Sequence, residues 1–114
     1  MTYALWIVLE RDIKISVGSL GEMIFKKGIY FYVGSAKKNF YSRIARHLRK
    51  NKKIFWHIDY LLTSPFTKVM GAIWRSNIAE CQLAQDFLNR KYKYVSKFGC
   101  SDCKCQSHLF YRRD

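Results

Sequence analysis

Three groups of side chains in this sequence have the types and spacing for chemistry. Arg43 and His47 lie four residues apart, so on a helix they project from one face and can meet a common ligand. Glu80 shares the i, i+3, i+4, i+7 spacing with Leu83, Ala84 and Phe87, which places a carboxylate on an otherwise apolar, inward stripe. A carboxylate there needs a partner. It can bond back to Asn77 in a capping box over Asn77-Ile78-Ala79-Glu80, or it can hold a Mg²⁺ or Mn²⁺ ion shared with a phosphate-bearing substrate. Third, Cys100, Cys103, Cys105 and His108 form C-x2-C-x-C-x2-H, with Cys81 as a contributor from outside. Such crowding can build a zinc site. The spacing is tight for one tetrahedral ion, which favours reduced cysteines packing the C-terminal turn. A disulfide is not expected in a cytosolic protein.

The charge distribution names the class of ligand. The chain of 114 residues carries 21 Lys and Arg against 8 Asp and Glu, a net +13. Between Glu22 and Asp59 there is no acidic residue, and +10 of the excess falls there. Lys37, Lys38, Arg46, Arg49, Lys50, Lys52 and Lys53 join Lys26, Lys27 and Arg43 in this stretch, interleaved with Phe31, Tyr32, Phe40, Tyr41, Phe55 and Trp56. Segregated positive charge with aromatic faces suits a polyanion whose phosphates are neutralised and whose bases are stacked. These seven cations are therefore the expected nucleic-acid contacts, with DNA the expected partner. Solubility alone does not require segregation. The longest apolar run, Tyr3 to Leu9, is seven residues, too short for a membrane span or signal peptide. The expected location is the cytoplasm.

The elements that must position these residues read as one continuous domain over 1–114, without repeat or linker. Hydrophobicity of 49% with a single proline supports an ordinary core. Tyr3 to Leu9 reads as a strand, forming a hairpin across Glu10-Arg11-Asp12 with Ile13, Ile15 and Val17. Gly18-Ser19-Leu20-Gly21 and Lys26-Lys27-Gly28 are turns bracketing a short extended piece at Met23-Ile24-Phe25. Ile29 to Val33 is a further strand stopped by Gly34-Ser35-Ala36. Asn39 caps a helix through Lys50 with a core stripe of Phe40, Ile44 and Leu48. A short helix covers His57 to Leu62, a strand Met70 to Trp74, and a long helix Ile78 to about Tyr92 with Asn77 as cap. The end from Cys100 carries few periodic signals. The expected class is α+β, a small antiparallel sheet flanked by helices.

Tyr32-Val33-Gly34-Ser35-Ala36, Arg43-Ile44-Ala45-Arg46-His47-Leu48, Trp56-His57-Ile58-Asp59-Tyr60-Leu61-Leu62 and the Cys100 to Phe110 segment together go beyond generic pattern. The sequence resembles the GIY-YIG nuclease superfamily. More narrowly it resembles the branch catalogued as domain of unknown function 123, found alone or fused to endonuclease III-type glycosylases. The literal string Gly28-Ile29-Tyr30, followed by Tyr32-Val33-Gly34, looks like the whole signature. In the superfamily, however, the two tyrosines sit on neighbouring strands. Tyr30 and Tyr32 share one strand, roughly 7 Å apart, so the better match for the first tyrosine is Tyr3. That match replaces the leading glycine by Met1-Thr2 and lengthens the hairpin between the motifs.

The resemblance implies a metal-dependent nuclease hydrolysing phosphodiester bonds. Tyr3 would help deprotonate the attacking water, with Tyr32 beside it, and Arg43 would neutralise the scissile phosphate. His47 and His57 would complete the polar wall, and Glu80 would hold one Mg²⁺ or Mn²⁺. A polar residue near the C-terminus would join them, with Asp102, Ser107 and His108 as candidates. Two readings of other classes stand beside this one: a non-catalytic basic nucleic-acid-binding module of the same fold, and a zinc-stabilised domain that associates with DNA-repair enzymes.

Overall fold

The run Thr2–Leu9, rich in β-branched and aromatic residues, forms the first strand, β1, and the molecule is built around it. In the computed structural model, which describes residues 1–100 and 105–112, β1 is followed by β2 (Ile13–Ser16), β3 (Glu22–Phe25) and β4 (Gly28–Ser35). Then come the helices α1 (Phe40–Leu48) and α2 (His57–Leu62), the strand β5 (Thr67–Arg75) and the helix α3 (Glu80–Asn89). The short strands β6 (Lys93–Tyr94) and β7 (Leu109–Tyr111) complete the described elements.

The fold is α+β, with a five-stranded antiparallel sheet in the order β5-β1-β4-β7-β6. The expected hairpin of the first strand with Ile13 to Val17 does not form. β1 is central, its neighbours being β4 and β5, and β2 pairs only with β3 in a separate two-stranded ribbon. The physical reason lies in burial. β1 is covered along nearly its whole length, as a central strand requires, whereas β2 alternates half-buried Ile13 and Ile15 with exposed Lys14 and Ser16.

Each sheet face has its own cover. Tyr3, Leu5, Ile7, Leu9, Tyr30 and Tyr32 point to one face and pack with Ile58, Leu61 and Leu62 of α2 and with Phe40 and Ile44 of α1. Ala4, Val33 and Phe110 point to the other and pack with Ala84, Leu83 and Phe87 of α3. The period of two along β1 and β4 thus assigns Tyr3 and Tyr32 to one layer.

Two helices depart from expectation in ways that bear on the site. α1 ends at Leu48, which is 54% exposed, and its buried residue is His47. The inward stripe of α1 therefore ends in an imidazole where leucine was expected. α3 begins at Glu80 with Ala79 as its cap, so the capping box from Asn77 is not made. The Thr2 hydroxyl instead donates to the Ile78 carbonyl and ties the start of α3 to β1. No described helix is long and apolar enough to cross a membrane.

Candidate active site

Tyr3 and Gly34 face each other across the β1–β4 ladder, and this pairing opens the site. A side chain at Gly34 would put its Cβ 2.6 Å from the Tyr3 hydroxyl oxygen, so the absence of one lets the phenol lie flat over the neighbouring strand. From there the hydroxyl reaches Nε2 of His47 on α1 at 2.7 Å. Tyr32, two residues before Gly34 on β4, stands beside the same imidazole with ring centres 6.1 Å apart.

A cleft of about 230 Å³ forms here, lined by Tyr3, Tyr32, Gly34, Ser35, Arg43, His47, Trp56, Glu80, Gly99 and His108. The Arg43 guanidinium donates to the Ser35 carbonyl at 2.8 Å and lies 4.5 Å over the Trp56 ring. Its charge is therefore held at the cleft wall by two restraints. Glu80 enters from the first turn of α3, with its carboxylate 3.9 Å from Nδ1 of His108 and its side chain 34% exposed.

Burial tunes the titrating groups. Desolvation pushes the Tyr3 phenol up to about 12, with the Arg43 guanidinium opposing it. Tyr32 is raised further, again by burial first and then by Tyr3 itself. His47 goes the other way: desolvation, aided by the nearby cations Lys52, Arg46 and Arg43, lowers it to about 4. At neutral pH the pair is thus a neutral phenol against a neutral imidazole. The imidazole Nδ1 is buried with no hydrogen-bond partner among the described residues.

Of the residues singled out from the sequence, the cleft brings together Tyr3, Tyr32, Arg43, His47 and Glu80. His57 is not among its lining residues. Its Nδ1 accepts the Gly99 N–H at 2.9 Å and its ring packs on Phe98, so it holds the C-terminal loop in place. Tyr30 also lies elsewhere, its hydroxyl donating to the Lys26 carbonyl at 2.6 Å. Among the C-terminal candidates His108 lines the cleft. Ser107 is buried in hydrogen bonds to the Leu109 backbone, and Asp102 lies outside the described residues. Ser35 and Gly99 also line the cleft without an expected role, as does Trp56, one of the rings expected to face a polyanion. Gly99 has φ +76°, and a Cβ there would sit 3.0 Å from that of His108 and 3.3 Å from the Tyr32 ring. Only glycine lets the loop close against the site.

The expected nucleic-acid contacts divide into two sets, three of them engaged in hydrogen bonds within the fold. Arg46 forks onto Asp59, both guanidinium nitrogens 2.9 Å from carboxylate oxygens. Lys52, only 3% exposed, sits 3.8 Å from Asp59 and donates to the Arg46 and His47 carbonyls at the end of α1. Lys50 donates to the carbonyls of Leu62, Ser64 and Thr67. These cations satisfy helix ends and a buried carboxylate. Burial pushes Asp59 up, but Arg46 and the Trp56 and Phe55 N–H groups outweigh it and hold the carboxyl below its usual range. Lys37, Lys38, Arg49 and Lys53 remain exposed.

The cysteines also differ from expectation. Cys81 on α3 and Cys105 are joined as a disulfide, with Cα atoms 5.9 Å apart. The Cys81 sulfur lies 3.9 Å from Nε2 of His108. Cys100 is half-buried with its sulfur 3.6 Å from the Phe98 carbonyl oxygen, and Cys103 lies outside the described residues. Tertiary contact between α3 and the segment before β7 thus brings in Cys81, the contributor expected from outside the C-terminal cluster.

Neither the curated proteins nor the solved structures searched yield a match to this chain. The family model described as domain of unknown function DUF123 matches residues 2–114, nearly the full length. The chain therefore belongs to the DUF123 family.

Proposed function

We propose that this cleft hydrolyses phosphodiester bonds of nucleic acid, with DNA as the substrate, through a site of GIY-YIG type. The observation that carries the reading is the convergence of the Tyr3–His47 pair, Arg43 and Glu80 on one cleft. Exposed aromatic rings support a nucleic-acid substrate. Trp74 touches Phe40, which touches Tyr3, and Phe55 touches Trp56 at the wall. Rings so placed can stack bases next to the cleft.

In this reading a water lies between the Tyr3 hydroxyl and the phosphorus. As its oxygen attacks, the water gives a proton to Tyr3 Oη, and Tyr3 passes its own proton to Nε2 of His47. Burial depresses the imidazole to about 4, so it is unprotonated at neutral pH and its ring nitrogen is open to a proton, though as a weak base. Passing the proton along the hydrogen bond places the charge on the imidazole instead of a buried phenolate; burial penalises both forms, so the negative charge developing on the phosphate must offset the imidazolium. The phosphorus–oxygen bond to the leaving alkoxide breaks, and the alkoxide takes a proton from solvent. Arg43 neutralises the non-bridging oxygens. Glu80 fits a Mg²⁺ or Mn²⁺ ion, being a single carboxylate beside a cleft, since such ions keep several waters and are shared with substrate phosphate. When bound, the ion adds Lewis-acid charge on the phosphoryl oxygens.

Incubation of the purified protein with single-stranded, duplex, flap and branched DNA and with RNA, in Mg²⁺, Mn²⁺ or EDTA, tests this. Cleavage is expected with metal and lost with EDTA. Arg43→Ala and Glu80→Ala are expected to lose roughly 10²–10³-fold each. No cleavage of any substrate, or variants that cut like wild type, rejects the reading and leaves a binding module.

A further inference from the structure

We propose that in the reduced protein Cys81, Cys105 and His108 bind Zn²⁺. Their ligand atoms all lie within 4.8 Å of one another, although they come from α3 and from the segment leading into β7. A tetrahedral ion with zinc–sulfur bonds of about 2.3 Å and zinc–nitrogen bonds of about 2.0 Å has sulfur–nitrogen edges of roughly 3.6 Å. The Cys81 sulfur stands 3.9 Å from Nε2 of His108, within a few tenths of that edge.

The second support is the setting of the imidazole. His108 is 1% exposed, and its Nδ1 lies 3.1 Å from the Val33 carbonyl oxygen. A carbonyl only accepts, so Nδ1 carries a hydrogen, and Nε2 is the ring nitrogen on the side of the Cys81 sulfur. This is the arrangement in which ligating histidines are held: one ring nitrogen donates to a backbone carbonyl while the other meets the ion. Two backbone bonds fix the residue further, from its N–H to the Phe98 carbonyl and from the Val33 N–H to its own carbonyl.

The disulfide and the zinc site are alternative states of one pair of cysteines. A dithiol reductant gives two electrons and two protons to the Cys81–Cys105 bond and is itself oxidised to a disulfide. The two thiols then release two protons as both sulfurs bind Zn²⁺. In either state α3 is fastened to the strand that borders β4. His108 also lines the cleft beside Glu80, so the two sites share a residue, and zinc binding is therefore read by metal content and spectrum, not by cleavage.

Protein purified and reduced under nitrogen with a phosphine is expected to hold one zinc per chain by elemental analysis. Replacement by Co²⁺ is expected to produce thiolate-to-cobalt charge-transfer absorption and the visible bands of tetrahedral cobalt. Both signals are expected to fall at least several-fold in Cys81→Ser, Cys105→Ser and His108→Asn. Because those variants remove core contacts, the cobalt spectrum of reduced wild type is the deciding measurement. No thiolate band in reduced wild type overturns the proposal. So does an ion retained unchanged after the disulfide is re-formed.

Discussion

At the scale of single residues, the proposed chemistry rests on one hydrogen bond between two buried side chains that cannot easily carry charge. Tyr3→Phe removes the hydroxyl while keeping the ring. Cleavage in a single-turnover assay is then expected to fall roughly 10²–10⁴-fold, the span of a proton-transfer group, with an unchanged circular dichroism spectrum. Gly34→Ala reaches the same end indirectly, since its methyl would meet the Tyr3 hydroxyl at 2.6 Å. Activity is expected to be lost with a stability cost of about 1–3 kcal/mol, as for other overpacked sites. His47 provides the test in pH. Its folded-state pKa, about 4 against an ordinary 6.5, means the unfolded chain binds more protons between those values. Stability is therefore full above pH 6.5 and falls as pH drops toward 4, by an amount on the order of 3 kcal/mol. Urea midpoints across this window are expected to flatten in His47→Gln. The i, i+4 spacing placed Arg43 and His47 together from the sequence alone. That His47 would be the buried residue of α1, displacing Leu48 from the inward stripe, was not legible, because its partner is a phenol 44 residues away.

At the scale of elements, α1 and α2 are joined by a carboxylate rather than by apolar packing alone. Asp59 is 0% exposed, accepts from Arg46 and caps its own helix through the Phe55 and Trp56 N–H groups. Removing one partner of such a buried pair costs about 3–5 kcal/mol. Asp59→Ala is accordingly expected to lower the urea midpoint far more than Arg49→Ala, whose side chain is exposed. The extents of β1 and α2 were legible in sequence because a β-branched run and a stop before Pro65 are local signals. Pairing was not. Whether β1 turns back on β2 or takes a central place between β4 and β5 depends on contacts distant in sequence. The short strands β6 and β7 carry too few residues to show a period. Glu80 illustrates both sides: its inward stripe was readable from the spacing, but choosing between Asn77 and the cleft needed the fold.

At the scale of the whole molecule, the excess charge is not one uniform surface. Lys50 and Lys52 donate to backbone carbonyls, and Lys52 is nearly buried, while Lys37, Lys38, Arg49 and Lys53 are exposed. Binding to a DNA oligonucleotide is expected to weaken linearly in log salt. Removing one exposed cation among these four lowers that slope by about 1 if it contacts phosphate. Lys52→Met is expected to leave the slope unchanged and to lower stability instead. Composition alone could not make this division, because which cations turn inward follows from where the helices end. The measurement that tests the cleft most directly is single-turnover cleavage by Glu80→Gln beside wild type, in Mg²⁺, on a substrate to which both are shown to bind equally. The expected result is unchanged affinity with cleavage reduced at least a hundredfold, in the range for a group stabilising transition-state charge. Equal cleavage by the two proteins would contradict a metal-assisted phosphodiesterase at this site.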